Sequence, residues 1–286
     1  AYYVALFFKN TSYAKDSMVN FSERKKEMFD CHCHILPGID DGAQDMETAL
    51  DMGKLAAAGG TTTIFATPHV LDAASVIAWS VIKEACKQLQ AAFEENHIAV
   101  NVLPGCEFFM DMELLPLLQG TGAYCLNEGK YLLVELPAAQ VPAYAEDFLF
   151  SVQAKGITPV LAHIERYGAL QQEPERLNEW TKRGVILQVN ASSFLGKNGE
   201  RPQKTAEMLL KQGRVHLFGS DAHSPRTRHP RLDKAAMKLR HFGGAEFTRK
   251  LLEENPQQLL SGGEMQLMPV LQQEKQRGWL SRLMGL

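Results

Sequence analysis

The 286-residue sequence predicts an α/β protein whose parallel strands close, or nearly close, into a barrel. About seven times along the chain, a short apolar segment is followed by a segment of helical composition, as in parallel-sheet proteins. The apolar segments are continuous rather than alternating, which is typical of a sheet covered on both faces. A doubly wound open sheet is the alternative. Barrels of this kind commonly form a single domain at this chain length.

Glycine, proline and polar residues separate the predicted elements. Gly59 and Gly60 end the first helix, and Gly156 ends a later one. The predicted strands cover residues 28–34, 61–67, 98–103, 131–134, 157–162, 185–189 and 215–218. The predicted helices cover residues 45–58, 73–96, 141–155, 174–183, 203–212 and 232–254.

Composition argues against several functional classes. A net charge of -3 gives no electrostatic case for nucleic-acid binding. No apolar run reaches the roughly 18 residues that a membrane span needs. The five cysteines are odd in number and form no CxxC pair, so a disulfide framework or a zinc ribbon is not expected. A reducing cytoplasm is the simplest setting for them.

Both ends of the chain differ in character from its middle. Residues 1–27 begin with a short apolar run that basic residues follow, which is the wrong order for a secretory signal. We expect this segment to be an extension outside the fold, with Met28 as a native start; a short docking helix is the alternative. We expect the domain to cover residues 28–262. The tail, residues 263–286, could form an amphipathic helix that touches a membrane or a partner, although such tails more often pack on their own domain or fray.

Side chains that commonly bind metal ions follow the predicted strands where each strand ends. His32 and His34 are two residues apart in the first strand and therefore face the same side. Asp221 and His223 repeat this spacing after the last strand. In a barrel the carboxyl ends of the strands form one face, which carries the active site. The full set is His32, His34, Asp41, His69, Glu107, Glu135, His163, Asp221 and His223.

Taken singly, these residues have ordinary structural explanations. His69 could cap a turn, Glu107 could be a solvated loop carboxylate, and His163 could be a hydrogen-bonded core histidine. A whole set at successive strand ends is hard to produce by chance, so we predict a site for several metal ions. Five imidazoles and four carboxylates are too many for one tetrahedral ion, and they fit two or three ions that share a carboxylate. Nitrogen and oxygen ligands without sulfur suit Mn, Fe or Zn.

The strand-end motifs resemble those of the PHP (polymerase and histidinol phosphatase) superfamily. The motifs are HCH at residues 32–34, TPH at 67–69, GCE at 105–107, ELP at 135–137, AHIERY at 162–167 and SDAH at 220–223. The longer run HCHILPGIDDG, with HIERY and QVNASS, is similar to the bacterial manganese-dependent protein-tyrosine phosphatases of capsule and exopolysaccharide operons. The resemblance covers residues 28 to about 260.

This resemblance implies a distorted, TIM-like (β/α)₇ barrel with three divalent ions. Manganese is expected, with iron or zinc as alternatives. The implied ligands of the first ion are His32, His34, Glu107 and Asp221. Those of the second ion are Glu107, Glu135 and His163, so that Glu107 bridges. Those of the third ion are Asp41, His69 and His223.

The resemblance also implies that Arg166 and Arg228 bind substrate, because a planar guanidinium can take two phosphate oxygens. Arg226 and Arg231 lie beside Arg228, so a basic surface loop is the alternative there. The implied reaction is hydrolysis of phosphotyrosine by a metal-activated hydroxide. The implied partner is a bacterial tyrosine autokinase of polysaccharide export, and a homo-oligomer is left open. Either Asp221 or His223 could donate a proton, which the sequence does not separate from ligation.

Other functions remain alternatives at this stage. A second phosphoesterase of the superfamily, such as a histidinol-phosphate phosphatase, would share the site and differ in the loops around it. A non-catalytic binding module should have lost ligands, whereas this chain keeps a full set. A cysteine-nucleophile phosphatase needs an arginine six residues after its cysteine, and none of the five cysteines has one.

Overall fold

The computed structural model describes residues 27–271, whose framework is a curled sheet of parallel strands. Three of its strands pair in the order β1 (Phe29–Cys33), β2 (Thr63–Ala66) and β4 (Asn101–Pro104). The other six pair in the order β3 (His69–Val70), β5 (Glu107–Phe109), β6 (Tyr131–Glu135), β7 (Thr158–Leu161), β8 (Ile186–Asn190) and β9 (Leu217–Gly219).

Two positions in the barrel are occupied by strands that are interrupted near a proline or a glycine. Pro68 lies between β2 and β3, and Gly105 lies between β4 and β5. The hydrogen bonding continues across both breaks, because Thr67 N donates to Cys33 O at 2.9 Å and Glu107 N donates to Pro68 O at 2.9 Å. The nine strands therefore occupy seven positions around the barrel. The second halves of the broken strands place polar side chains at the carboxyl face.

The last strand returns to the first. Asp221 N donates to His32 O at 2.8 Å, and His34 N donates to Ala222 O at 2.9 Å. These bonds join the segment after β9 to β1 at the carboxyl end of the sheet. The predicted single-domain α/β barrel is confirmed, and the doubly wound open sheet is wrong, because the strands follow one another around the sheet in chain order.

The helices cover the outside of the sheet. They are α1 (Met46–Ala58), α2 (Trp79–Glu95), α3 (Ala145–Ala154), α4 (Gly168–Gln172), α5 (Pro174–Lys182), α6 (Ala191–Phe194), α7 (Glu200–Lys211), α8 (Asp233–Arg249) and α9 (Asn255–Ser261). Three 3₁₀ turns cover Met112–Leu117, Leu126–Glu128 and Ile164–Arg166, and a π turn, Lys250–Glu254, continues α8. The sequence did not predict α4, α6 or α9. Within residues 27–271, no helix is both long and apolar enough to cross a bilayer.

The predicted helix over residues 73–96 begins later than expected, at Trp79. The Asp72 side chain accepts hydrogen bonds from the backbone N–H groups of Ala74 and Ser75, at 2.9 and 2.8 Å. These bonds close a turn at residues 72–75 that does not continue into a helix. By contrast, α1 begins where predicted, because the Asp45 side chain caps it by accepting from Thr48 N at 2.8 Å.

A bulge in β1 decides which side chains face the inside of the barrel. The register with β2 runs from Asp30 opposite Ile64 to Cys33 opposite Ala66, which inserts one extra residue in β1. Cys31 therefore packs in the interior cluster of the barrel, whereas Cys33 packs in the outer cluster between sheet and helices. Regular alternation along a strand would place both cysteines on the face opposite His32 and His34, and the bulge separates them.

The end of the described chain packs against the domain. Residues 263–271 form no helix, and Leu271 N donates to Lys211 O at 2.9 Å. The side chain of Asn255 donates to Gln266 O at 3.1 Å. Residues 1–26, which make up nearly all of the predicted N-terminal extension, and residues 272–286, which carry the predicted amphipathic helix, lie outside the described residues.

Buried His216 makes the stability of the fold depend on pH. Its Nδ1 accepts from Leu187 N at 3.2 Å, and the residue is 4% exposed. Burial lowers the pKa of His216 from 6.5 to about 4. Between these values the unfolded chain binds a proton that the folded chain does not, so stability falls as the pH falls through this window. The loss approaches about 3 kcal/mol at the lower end.

A His216→Asn variant should keep an acceptor for Leu187 N and lose the titration. The free energy of unfolding in urea should then fall less between pH 6.5 and pH 4 than in the wild type. An exposed-histidine control, His241→Asn, should keep the wild-type slope. Identical slopes for His216→Asn and wild type would show that His216 does not stay neutral in the fold.

Candidate metal centre

The nine predicted ligands converge on one cleft at the carboxyl ends of the barrel strands. After the bulge in β1, His32 and His34 both point into this cleft, with their Nε2 atoms 3.1 Å apart. The break between β2 and β3 and the break between β4 and β5 bring His69 opposite Glu107 in the sheet register. The irregular points of the sheet are thus where ligands enter the site.

The first group surrounds the two Nε2 atoms of β1. Glu107 Oε2 lies 3.2 Å from the Nε2 atoms of both His32 and His34. Asp221 Oδ1 lies 3.6 Å from both. Ligand atoms on a tetrahedral ion with bonds of about 2.1 Å lie about 3.4 Å from one another. The spacing of these four atoms therefore suits one ion held among them.

The other two groups flank the first. His163 Nε2 lies 2.8 Å from Glu107 Oε1 and 3.6 Å from Glu135 Oε1. Because Glu107 turns Oε2 to the first group and Oε1 to His163, its carboxylate spans two of the groups. On the other side, Asp41 Oδ1 lies 3.5 Å from the Nε2 atom of His69 and 3.4 Å from that of His223.

These three groups contain the residues that the family resemblance implied for three ions. The groups also overlap, because His69 turns its other nitrogen, Nδ1, to Glu107 Oε2 at 3.2 Å and Glu135 Oε2 at 3.7 Å. The rings of His34 and His223 lie close together as well, with centroids 3.9 Å apart. All nine predicted ligands are thus within one continuous cluster.

Hydrogen bonding in the cluster fits divalent cations. Glu107 is 1% exposed, and its Oε2 atom has no hydrogen-bond partner among the described residues. His34 Nδ1 lies 2.7 Å from Asp40 Oδ2, so the neutral ring carries its proton there and turns a lone pair inward from Nε2. A buried carboxylate oxygen and an imidazole lone pair that face one another call for a shared cation.

The charge of the cluster leads to the same conclusion. Burial by itself lowers the pKa of His34, but the neighbouring carboxylates of Asp40 and Glu107 reverse this and raise the pKa to about 10. Burial and then the Glu107 charge raise the pKa of Glu135 to about 7. Both shifts report an excess of carboxylate charge in a desolvated cleft. Such a cleft holds protons or cations, and binding of divalent ions releases the protons.

Two of the predicted ligands have an unusual backbone conformation. His163 and Asp221 have φ values of 32° and 53°, in the left-handed region that side chains other than glycine rarely adopt. Gly219, two residues before Asp221, packs so closely on the His32 side chain that a Cβ atom there would clash with it. Local strain at this strand end is therefore coupled to the position of the ligands.

Three residues support the ligands without belonging to the predicted set. Besides contacting His34, Asp40 accepts from His69 N at 3.1 Å, and the Asp40 side chain is 6% exposed. Gln188 Oε1 accepts from His163 N at 2.8 Å. Asn190 Nδ2 donates to Asp221 Oδ2 at 2.7 Å.

Sequence reasoning missed these roles, although each residue lies in a recognised motif. The predicted ligand set includes Asp41 but not Asp40, the first residue of the same Asp-Asp pair. Gln188 and Asn190 are two residues apart at the end of β8, the spacing that identified His32 and His34. The same spacing therefore predicts that the amide side chains of Gln188 and Asn190 face the site together.

Two arginines reach the cluster from its rim. Arg166 Nη1 donates to Asp221 Oδ2 at 3.0 Å, and Arg228 Nη2 lies 2.6 Å from Asp221 Oδ1. Their side chains are 42% and 44% exposed, so the guanidinium groups remain open to a ligand from solvent. Arg231 turns instead to Asp233, at 2.8 Å. The predicted pair, Arg166 and Arg228, is therefore the pair that contacts the cluster.

The cysteines are packed away from nucleophilic chemistry. All five are buried free thiols, and burial raises the pKa of each: Cys31, Cys33, Cys86, Cys106 and Cys125. A nucleophilic cysteine needs the opposite, an exposed thiol with a lowered pKa. The site chemistry rests on imidazoles, carboxylates and guanidinium groups.

A parallel barrel with clustered imidazoles and carboxylates at its strand ends defines a class of metal-binding barrel proteins. Residues 28–261 match the family described as "Capsular polysaccharide synthesis, CpsB/CapC". The chain belongs to this CpsB/CapC family. The predicted resemblance to the bacterial capsule tyrosine phosphatases is thereby confirmed.

Named relatives match nearly the full domain. The tyrosine-protein phosphatase YwqE of Bacillus subtilis strain 168 is 34% identical over 233 residues, which are 82% of this chain and 91% of YwqE. The tyrosine-protein phosphatase CpsB of Streptococcus agalactiae is 29% identical over 238 residues, 82% of this chain and 98% of CpsB.

A solved structure matches the fold. It is one of the crystal structures of YwqE from Bacillus subtilis and CpsB from Streptococcus pneumoniae, which are described as unique metal-dependent tyrosine phosphatases. The TM-score is 0.78 at 32% identity, and the match covers 87% of this chain and 100% of the other.

Replacing Asp40 with asparagine should weaken metal binding while leaving the fold intact. Asparagine keeps the shape of the side chain but removes the charge that holds His34 Nδ1–H, so Nε2 becomes a poorer ligand. We expect metal affinity to fall about 10–100-fold, measured by competition with a fluorescent chelator. The matched control is Asp51→Asn, at an exposed aspartate that pairs with Lys54. Equal metal affinity of Asp40→Asn and wild type would contradict a positioning role for Asp40.

Proposed function

We propose that this protein is a metal-dependent protein-tyrosine phosphatase that hydrolyses phosphotyrosine in the cytoplasm. The observation that supports this most is that three ligand groups share one cleft, which two arginines reach through their contacts with Asp221. The named activity of the relatives YwqE and CpsB supports it independently. We assign the catalytic domain to residues 28–262.

We assign the cluster to three divalent ions, Mn²⁺ first, with Fe or Zn as alternatives. The first site is formed by His32, His34, Glu107 and Asp221. The second is formed by Glu107, Glu135 and His163. The third is formed by Asp41, His69 and His223. Bound there, such ions supply Lewis acidity and an activated water for phosphate-ester hydrolysis.

Arg166 and Arg228 would orient the phosphoryl group. They contact different oxygens of Asp221, Oδ2 and Oδ1, so they approach the cleft from two sides. A dianionic phosphoryl group between them can accept hydrogen bonds from both guanidinium groups, which also oppose its charge. The arginines would thereby hold the phosphoryl group beside the cluster of predicted ligands.

The leaving group needs little help from the protein. A phenol has a pKa of about 10, so phenoxide leaves more readily than an alkoxide. Burial raises the pKa of Asp221, but the imidazoles of His32 and His163 outweigh it and lower the pKa overall. Burial and the charge of His34 lower the pKa of His223 to about 4. Both residues are therefore better ligands than proton donors at neutral pH.

The physiological substrate would be a phosphotyrosine protein of polysaccharide synthesis. We propose that this substrate is a bacterial tyrosine autokinase of polysaccharide export. The half-exposed arginines support a substrate of this kind, since an open cleft admits a peptide-borne aromatic phosphate.

Chelation should abolish turnover of p-nitrophenyl phosphate, and Mn²⁺ should restore it. Loss of a residue that only supports a metal ligand costs about 10–100-fold in activity. A His32→Ala, His34→Ala double variant should lose more activity than this, because it removes two direct ligands. Its circular dichroism spectrum serves as the control for folding. Full activity after complete metal removal would refute the proposed mechanism.

A second prediction distinguishes the role of Arg228 from that of Arg226, and phosphotyrosine from histidinol phosphate as the substrate. Arg228→Ala should lower kcat/KM on a phosphotyrosine peptide by about 10–100-fold, the cost of a charge-assisted hydrogen bond. The control is Arg226→Ala, an exposed arginine two residues away that should retain wild-type kinetics. Turnover of histidinol phosphate above that of the peptide would instead indicate a histidinol-phosphate phosphatase.

A further inference from the structure

A second cavity adjoins the metal centre. It has a volume of about 240 Å³, and we call it the Lys197 cavity. Its lining includes Arg228, which also contacts Asp221 of the catalytic cleft, together with Lys197, His229 and Arg231. The segment after β8 supplies Lys197, and the loop after β9 supplies the other cations. The proposed hydrolysis requires none of Lys197, His229 and Arg231.

The lining of the Lys197 cavity is strongly cationic. None of the residues that line it carries a carboxylate. Lys197 Nζ lies 3.0 Å from His229 Nε2, and an imidazole without charge does not neutralise an ammonium group. Among the ion pairs found within residues 27–271, none includes Lys197, whereas Arg231 pairs with Asp233 from outside the cavity. Burial, followed by the charge of Lys197, lowers the pKa of His229, which favours an uncharged imidazole.

Neutral donors complete the lining. The Asn198 side chain donates to Ser192 Oγ at 3.1 Å, and Ser192 is itself a lining residue with a hydroxyl hydrogen to give. A hydroxyl donor beside an ammonium group is a common partner of a carboxylate or phosphate. The cavity therefore has the chemistry of an anion site.

The position of the cavity relates it to the substrate. Arg228 takes part in both spaces: its guanidinium lies 2.6 Å from Asp221 Oδ1 and also lines the Lys197 cavity. An extended peptide advances at most about 3.3–3.6 Å per residue, so a side chain one to three residues from the reacting tyrosine can span neighbouring subsites. A peptide with its phosphotyrosine in the cleft can then place an adjacent side chain in the cavity.

We propose that the Lys197 cavity binds a second anionic side chain of the peptide substrate, close in sequence to the phosphotyrosine that is hydrolysed. The anion is a carboxylate or a second tyrosine phosphate. Lys197 is the main specificity-determining residue, because its charge has no carboxylate partner to displace. This inference rests on the proposed phosphotyrosine activity.

The test compares peptides that contain phosphonodifluoromethyl-phenylalanine, a phosphotyrosine analogue that is not hydrolysed. In the neutral peptide, glutamine and tyrosine flank the analogue. In the second peptide, glutamate replaces the glutamine. In the third, a second copy of the analogue replaces the tyrosine. Binding to the metal-loaded protein is measured by calorimetry. Either anionic peptide should bind about tenfold more tightly than the neutral one, as expected for one charge-assisted contact. The ranking of the two anionic peptides identifies the anion.

Two lysine variants make the comparison specific. In Lys197→Met, the ratio of affinities for anionic and neutral peptides should fall toward one. In the matched control Lys204→Met, at an exposed lysine of α7 that pairs with Glu200, the ratio should stay at the wild-type value. Equal wild-type affinities, a ratio unchanged by Lys197→Met, or no binding of any peptide would overturn the inference.

The proposed phosphatase activity and the proposed anion site in the Lys197 cavity can be refuted independently of each other. If no phosphotyrosine peptide is hydrolysed, the proposed phosphatase activity is wrong, while the affinities of the analogue peptides still decide whether the cavity binds an anion. If phosphotyrosine peptides are hydrolysed but anionic flanks bring no gain in affinity, only the inference about the cavity is wrong.

Discussion

The buried carboxylate of Glu107 is the constraint on which the rest of the structure depends. Its Oε2 atom lies 3.2 Å from the Nε2 atoms of His32 and His34, and its Oε1 atom lies 2.8 Å from His163 Nε2. A carboxylate with 1% exposure is costly to desolvate unless cations or donors surround it. When the His34 ring is neutral, its single proton is held at Nδ1 by Asp40, and none remains at Nε2 for Glu107. Cations resolve this conflict.

The irregular features of the barrel serve that arrangement. The bulge in β1 turns His32 and His34 inward, and the break before Glu107 lets that strand restart with its carboxylate at the mouth. The left-handed backbone of His163 and Asp221 turns both ligands into the same cleft. A regular barrel would keep strict alternation along each strand and could not place this many ligands around one point.

Charge beyond the ligands organises the surface around the site. Arg166 and Arg228 balance Asp221 at the rim, and Lys197 and Arg231 extend the positive potential along one side. Positive charge on one side of a cleft raises the local concentration of anionic substrates and orients them on approach. The overall charge of the chain, -3, gives no sign of this local asymmetry.

By itself, the sequence determined the alternation of strands and helices and the identity of the imidazole and carboxylate residues that cluster at the strand ends. Apolar runs report strands, and a residue at a strand end is near in space to other strand ends whatever the loops do. The tertiary structure alone decided that Asp40 supports His34, that Cys31 and Cys33 face different clusters, and that Lys197 meets His229. Those outcomes depend on a bulge and on loops far apart in the chain, and local spacing carries no record of either.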